Sequence, residues 1–203
     1  MRRDMNVAVI YYSATGTVHR LAEAVAEGAA KAGAHLRVHR VPELAPDTAI
    51  DTNPDWRPHV DQTRDLVSEA TLDDLVWADA YAFGSPTRYG LVAAQLKQFL
   101  DQTGALWSNG VMANKPVTAF TSTITLHGGQ ETTLVSLYHV FCHWGCIIVP
   151  PGYTDPVMNA AGGNPYGVSW PTGQPPQPPS DDVLEGARYQ GRRLAEITKL
   201  LAV

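Results

Sequence analysis

The chain holds only two cysteines, Cys142 and Cys146. They stand four residues apart with no second pair nearby, which is not the spacing of a zinc site. Among apolar neighbours they read as reduced, packed thiols of a cytoplasmic protein, and no metal site is expected. No apolar run approaches the ~18 residues of a membrane span, so no integral membrane contact is expected. The basic start Met1-Arg2-Arg3-Asp4-Met5 leads straight into a strand that ends at a polar loop, without the apolar stretch and cleavage site of a secretion leader. Positive charge is scarce too. Fifteen Lys and Arg face 20 Asp and Glu, a net charge of −5. Nucleic acid and anionic membrane surfaces call for a basic stripe, and this balance speaks against both. Internal repeats and a second core are also missing. The 203 residues, 44% of them hydrophobic, are therefore expected to form one domain over residues 1–203.

Two phosphate motifs are absent as well. No Lys follows Gly16, so the triphosphate pattern G-x-x-x-x-G-K-[ST] is not met. A single glycine in that loop does not make the dinucleotide pattern G-x-G-x-x-G. What stands there is Ser13-Ala14-Thr15-Gly16-Thr17, between two strongly patterned stretches. Before it, Asn6-Val7-Ala8-Val9-Ile10-Tyr11-Tyr12 reads as a parallel strand buried on both faces. After it, Val18, Leu21, Ala22, Val25 and Ala29 share one face of a helix. A loop joining a strand's C-terminal end to a helix N-terminus offers free N–H groups and the positive end of the helix dipole. With three hydroxyls and Gly16, it suits one phosphate monoester. The alternative is a Ser/Thr helix cap with no ligand.

The rest of the chain alternates strand and helix. Gly33 ends the first helix. His35-Leu36-Arg37-Val38-His39 alternates as an edge strand, with both histidines read as solvated face residues. Residues 42–70 lose all periodicity among Pro42, Pro46, Pro54 and Pro58. Thr71-Leu72-Asp73-Asp74-Leu75 reads as a short helix with Asp74 completing a capping box. Ala78 to Gly84 is the third strand. The loop Ser85-Pro86-Thr87-Arg88-Tyr89-Gly90 then enters a helix that buries Val92, Leu96, Phe99 and Leu100. Lys115 to Phe120 is the fourth strand, and Glu131 opens the next helix. Cys146-Ile147-Ile148-Val149 is the fifth strand. Residues 150–179 read as a long surface loop with an ordered turn at Gly162 to Gly167. Ser180, Asp181 and Asp182 cap a last helix whose seam runs Leu184, Ala187, Gly191, Leu194, Thr198 and Leu201. The two irregular segments carry Trp56, Tyr153, Tyr166 and Trp170, an aromatic density that suggests an interface.

Several stretches occur together in one order: the Ser13 loop, Gly84-Ser85-Pro86-Thr87-Arg88-Tyr89-Gly90, Phe99-Leu100-Asp101-Gln102-Thr103-Gly104-Ala105-Leu106-Trp107, Thr121-Ser122-Thr123 with His127-Gly128-Gly129-Gln130-Glu131, then His143 and Ala187-Arg188-Tyr189-Gln190-Gly191. In this the chain resembles, over nearly its whole length, the WrbA family of flavodoxin-like, FMN-dependent NAD(P)H:quinone oxidoreductases. The resemblance implies an α/β fold with a doubly wound, five-stranded parallel sheet in the order 2-1-3-4-5, helices on both faces, and FMN across the ends of strands 1 and 3. It implies FMN contacts at Ser13, Ala14, Thr15, Gly16, Thr17 and Val18, and at Pro86, Thr87, Arg88 and Tyr89. Further contacts fall at Ser122, Thr123, Ile124, Thr125, Leu126, His127 and Gly128, and at His143. Trp107 and Tyr89 would flank the reactive face, and His143 would meet the negative charge of the reduced flavin. NADH or NADPH would deliver hydride to flavin N5, leave, and be replaced by a quinone that is reduced by two electrons. The resemblance also implies a homotetramer whose sites draw on neighbouring subunits. Two features depart from the family pattern: Thr15 stands where a bulky aromatic is common, and the Ser122–Gly128 loop is one residue longer. Other readings are a one-electron carrier like the short flavodoxins and a non-enzymatic regulatory partner.

Overall fold

The computed structural model describes residues 5–201, so the leader reading, which rests on residues 1–4, falls outside the described residues. β1 (Met5–Tyr11) leads into α1 (Thr17–Lys31) and β2 (Ala34–Arg40). Then come α2 (Asp47–Ile50), α3 (Trp56–Leu66) and α4 (Leu72–Trp77). β3 (Ala80–Arg88) turns back into a short β4 (Leu91–Val92), followed by α5 (Ala94–Asp101) and α6 (Gly104–Ser108). β5 (Pro116–Thr123), α7 (Gln130–Trp144), β6 (Ile147–Ile148), α8 (Val157–Ala160), β7 (Ser169–Pro171) and α9 (Asp181–Leu201) complete the described chain.

The sheet runs β2-β1-β3-β5-β6, all parallel. Counting only these five strands, that is the expected order 2-1-3-4-5. Side chains alternate across a strand. Val7, Val9 and Tyr11 of β1 therefore pack under α1 and α9, while Ala8 and Ile10 pack toward α5 and α7. One sheet thus separates two apolar layers, and every crossover returns the chain to the same edge. The loops after β1, β3 and β5 consequently emerge side by side.

β5 has a split neighbour. β6 pairs with its first half at Pro116 and Val117, and β7 pairs with its second half at Thr121, Ser122 and Thr123. The chain between them, expected as an aperiodic surface loop, contains α8 and the buried residues Met158, Ala161 and Val168. Buried Gln190 of α9 ties it down. Its Oε1 accepts the Val168 N–H at 2.8 Å, and its Nε2 donates to Thr118 Oγ1 and Ala119 O, both at 2.7 Å. Three residues of β7 carry no pattern of their own, since their strand conformation comes from β5.

Other expectations need correction. Residues 42–70 are not structureless: they hold α2 and α3, and α3 buries only Val60 and Thr63. Val92 belongs to β4, because Tyr89 and Gly90 turn the chain into a hairpin before α5 begins. His39 is not solvated. Its Nδ1 lies 2.9 Å from Asp74 Oδ2, and Arg37 donates to Asp74 Oδ1 at 3.0 Å. Asp74 is buried and completes the expected capping box with Thr71. Burial works to raise its pKa, but the Thr71 N–H, His39 and Arg37 outweigh it and hold the carboxyl below its ordinary range. Cys142 is exposed rather than packed. Cys146 is half-buried and donates to Met112 O at 3.3 Å, and burial pushes its thiol up to about 12.

Candidate functional site

The loop after β1 is open to a ligand at the level of the backbone. Gly16 is the N-cap of α1, with φ +93°, a conformation that favours glycine. No side chain caps the helix, and its first turn holds no acidic residue. Ser13 Oγ instead accepts the Gly16 N–H at 3.1 Å, inside the loop. No Ser or Thr side chain therefore caps α1. The helix start keeps its orphan donors and its positive dipole end for an outside acceptor, with the Thr15 and Thr17 hydroxyls beside it.

Behind this loop lies a cluster of rings. Tyr11 Oη is hydrogen-bonded to His19 Nδ1, and the His19 and His59 rings stand 5.6 Å apart. A Cβ on Gly16 would lie 3.4 Å from His59 Nδ1. Burial, then the neighbouring His19 and Arg40, lower the pKa of His59 to about 4. Burial also lowers that of His19, against the opposing pull of Glu23. The ordinary histidine value is 6.5. Between the two values the unfolded chain binds a proton that the folded chain does not, so stability should rise as pH climbs from 4 to 6.5. His59→Gln should flatten that slope in urea unfolding at pH 4.5 and pH 7. An unchanged slope would place the acid sensitivity elsewhere.

The second and third loops lock together. Thr87 Oγ1 donates to Gly128 O at 3.2 Å and accepts the Gly90 N–H at 3.1 Å. A Cβ on Gly129 would stand 2.7 Å from Gly90 Cα, so the two loops touch at glycine. Gly128 is equally confined, with Thr123 Cβ and Thr125 O within 3.0 Å of where a Cβ would be. Gly129, at φ +88°, caps α7 without any side-chain hydrogen bond, and Glu131 stands in the first turn of that helix. The third loop is held from outside by the chain following β7: Thr172 N–H donates to Thr123 O and Gly173 N–H to Ile124 O, both at 2.8 Å.

Between the loops lies a cleft of about 560 Å³, within the range of small-molecule and cofactor sites. Ser13, Ala14, Thr15, Thr17 and Val18 line it, as do Pro86, Thr87, Arg88 and Tyr89 from β3 and its turn. Ser122, Thr123, Ile124, Thr125 and Gly128 close the far side. Gly16 shapes the first loop without lining the cleft. Leu126 and His127 point away and line a neighbouring cavity of about 320 Å³ with Trp170 and Asn164. Asn53, Asp55, Trp56, Thr172 and Pro176 also line the cleft and were not anticipated. The helical spacing of Trp56, Val60 and Thr63 was the one available signal for the first group. Thr172 and Pro176 had none, since β7 delivers them.

Trp107 and His143 stand away from this cleft. They line a third cavity, of about 270 Å³, where Trp107 Nε1 donates to His143 O at 2.7 Å. The reading of His143 as a residue near the sheet's ligand edge fails within one chain. α7 starts at the cleft and runs back for 15 residues, so its last turn lies about 20 Å away, at 1.5 Å per residue. Trp107 is 54% exposed, and Tyr89 is wholly exposed at φ +54°, a position that strains a non-glycine residue.

Comparison with known proteins agrees with this geometry. Residues 5–155 match the NADPH-dependent FMN reductase family. A protein of Deinococcus radiodurans named NAD(P)H dehydrogenase (quinone) is 43% identical over 201 residues, covering 99% of both chains. One of the same name from Geobacter sulfurreducens is 40% identical, covering 97% of this chain and 99% of its own. Among solved structures, a flavodoxin, WrbA-like protein from Agrobacterium tumefaciens superposes with a TM-score of 0.69 at 26% identity, over 97% of this chain and 99% of that one. An archaeal flavodoxin shares the fold at a TM-score of 0.63 and 21% identity, over 96% and 99%. With a cleft at the switch point of a 2-1-3-4-5 sheet and these matches, the chain belongs to the NADPH-dependent FMN reductase family, among its WrbA-like members.

Proposed function

We propose that this protein is an FMN-dependent NAD(P)H:quinone oxidoreductase, a single domain that binds FMN in the cleft between the loops after β1, β3 and β5. The observation that carries the reading is the start of α1, which is uncapped, free of acid and flanked by hydroxyls. That donor set, with a glycine at positive φ, suits a phosphate monoester and fits FMN. When bound, FMN would supply two-electron redox chemistry between a reduced nicotinamide and a quinone.

The chain's own residues hold and tune that centre. Ser13, Thr15, Thr17 and the first N–H groups of α1 hold the phosphate. Thr87 fixes the β3 hairpin against Gly128, which keeps the two flanking loops at one separation. The uncapped start of α7 places backbone donors and a positive dipole end beside the cleft, favouring negative charge on a reduced ring. Arg88 and Tyr89 form the rim, where either planar substrate enters.

Two further statements belong to this proposal. Trp107 and His143 complete a neighbouring protomer's cleft in a homotetramer, a reading supported by the exposure of Trp107, Tyr89, Leu91, Ile124 and Tyr153. The protein is also taken to be cytoplasmic, as its two free thiols suggest. No described helix is long and apolar enough to cross a membrane.

The test is spectroscopic titration of the protein with FMN, followed by anaerobic mixing with NADH and NADPH and then with a quinone. FMN is expected to bind and to be bleached by at least one of the two donors, with colour returning on quinone addition. Thr15→Ala and Thr17→Ala should each weaken FMN by about 1.5 kcal/mol, roughly tenfold, since each removes a donor to a charged acceptor. Unchanged affinity in both variants would move the phosphate to another place.

A further inference from the structure

The α3 segment brings one side chain into the cleft that neither the phosphate loop nor the flanking loops account for. Trp56, the first residue of α3, lines the cleft and is half-buried against the α5/α7 core layer. Its indole Nε1 donates to Glu43 Oε2 at 2.9 Å. The same oxygen accepts the Tyr12 hydroxyl at 2.8 Å. Glu43 Oε1 accepts Gln95 Nε2 at 2.7 Å and the N–H groups of Leu44 and Ala45, both at 2.9 Å. One carboxylate thus gathers five donors, from the end of β1, from α3, from α5 and from its own turn. Burial works to raise the pKa of Glu43, but the Ala45 N–H, Gln95, Tyr12 and Trp56 outweigh it and keep the group ionised.

This arrangement fixes an aromatic plane. The other aromatic ring on the cleft belongs to Tyr89, which is wholly exposed at the rim. Trp56 is held on one side by packing and at its edge by a charge-assisted hydrogen bond. A flat ring entering the cleft therefore meets a wall that has already lost its rotamer freedom, which lowers the entropy cost of stacking.

We propose that Trp56 is a specificity-determining residue of the cleft, the aromatic wall that the flavin ring packs against, and that Glu43 is the positioning residue that holds it there. The proposal rests on the reading that the cleft binds FMN. Trp56 and Tyr12 share Oε2 of Glu43, while Gln95, Leu44 and Ala45 share Oε1, so all five donors are served only while both oxygens accept. Glu43→Gln leaves one acceptor oxygen, so either Trp56 and Tyr12 or the other three donors must lose their partner.

The experiment measures FMN affinity and tryptophan fluorescence on apoprotein. Trp56→Leu should weaken FMN about tenfold, the scale of one lost aromatic stack, and Trp56→Phe should restore most of that affinity. FMN should quench more tryptophan emission in the wild type than in Trp56→Phe, because only the former places an indole on the flavin. Glu43→Gln should weaken FMN about threefold in the wild-type background and not at all with Trp56→Leu, since it acts through that ring. A Trp56→Leu variant that keeps the wild-type circular dichroism and binds FMN within twofold of wild type would overturn the proposal. Equal quenching in wild type and Trp56→Phe would also overturn it, even if Trp56→Leu does not fold. A Glu43→Gln loss that persists with Trp56→Leu would remove Glu43 from the positioning role. Wild-type protein that binds no FMN takes down the reading of the cleft itself, an outcome distinct from all of these.

Discussion

Gly191→Val should leave no folded protein at 25 °C. Gly191 sits in the middle of α9, where the helix crosses α1. A Cβ there would stand 1.9 Å from the carbonyl oxygen of Val25 and 2.7 Å from its carbonyl carbon. The facing residue of α1, Gly28, is in the same condition: its Cβ would fall 1.8 Å from Arg188 O. Both obstacles are backbone, so no rotamer change relieves them. The helices would have to separate and give up the contacts of Val25, Ala29, Ala187 and Leu194 in the layer below. Overpacking of a yielding core costs about 1–3 kcal/mol. A backbone clash inside a helix crossing falls in the rarer class above about 4 kcal/mol, a large share of a domain's whole stability of about 5–15 kcal/mol. The measurement is urea unfolding followed by circular dichroism, on Gly191→Ala and Gly191→Val. Gly191→Ala should already lose stability. A Gly191→Val protein with a wild-type midpoint would mean that the two helices do not cross as closely as described. The effect reaches the cleft as well, because α1 begins at the loop after β1 and α9, through Gln190, holds Val168 just before β7.

Gly191 also shows what could be read in the sequence and what could not. Its place in the α9 seam follows from spacing alone. Its closeness to Val25 does not, because that depends on how two distant segments meet. The burial of β1 on both faces was legible for the same local reason: it is a nearly continuous apolar run, as a central parallel strand requires. Gly33 and the Thr71–Asp74 box were legible because helix ends carry their signals within a few residues. α3 was not, because Val60 and Thr63 alone are buried in it, amid Arg57, Asp61, Arg64 and Asp65. An amphipathic pattern so thin is lost among the prolines around it. β7 was illegible for a deeper reason, since its three residues become a strand only by pairing with β5. The site divides in the same way. The place of the first loop follows from a strand end and a helix start, while the full set of residues on the three loops comes from the family resemblance. Asn53, Asp55, Trp56, Thr172 and Pro176 arrive from segments whose paths are set by tertiary contacts.

The other large effect is expected at His143, and its test also decides the assembly. His143 is exposed, at the far end of α7 from its own cleft, beside the exposed ring of Trp107. A histidine there can act on the chemistry only from a neighbouring protomer. In the proposed tetramer it would meet the negative charge that builds on flavin reduction, by hydrogen bond or as a proton source. His143→Ala should then keep the fold and bind FMN, yet slow flavin reduction or quinone reduction by about 10²-fold, the low end for a positioned acid. His143→Asn, which keeps a donor without a titrating proton, should recover part of the loss if the role is electrostatic. Both half-reactions are followed by anaerobic stopped-flow across pH. Mixed assemblies supply the decisive comparison. Gly16→Val, with a branched side chain at φ +93° facing His59, should empty its own cleft while leaving its own His143 and Trp107 intact. Co-expressed with His143→Ala, it should give tetramers in which an intact cleft from one chain meets an intact His143 from the other, and those should be more active than either parent. If mixed assemblies are no better than the parents, His143 does not work across an interface. If His143→Ala matches wild type in both half-reactions, the residue is structural, and the polar chemistry of the site falls to the starts of α1 and α7 alone.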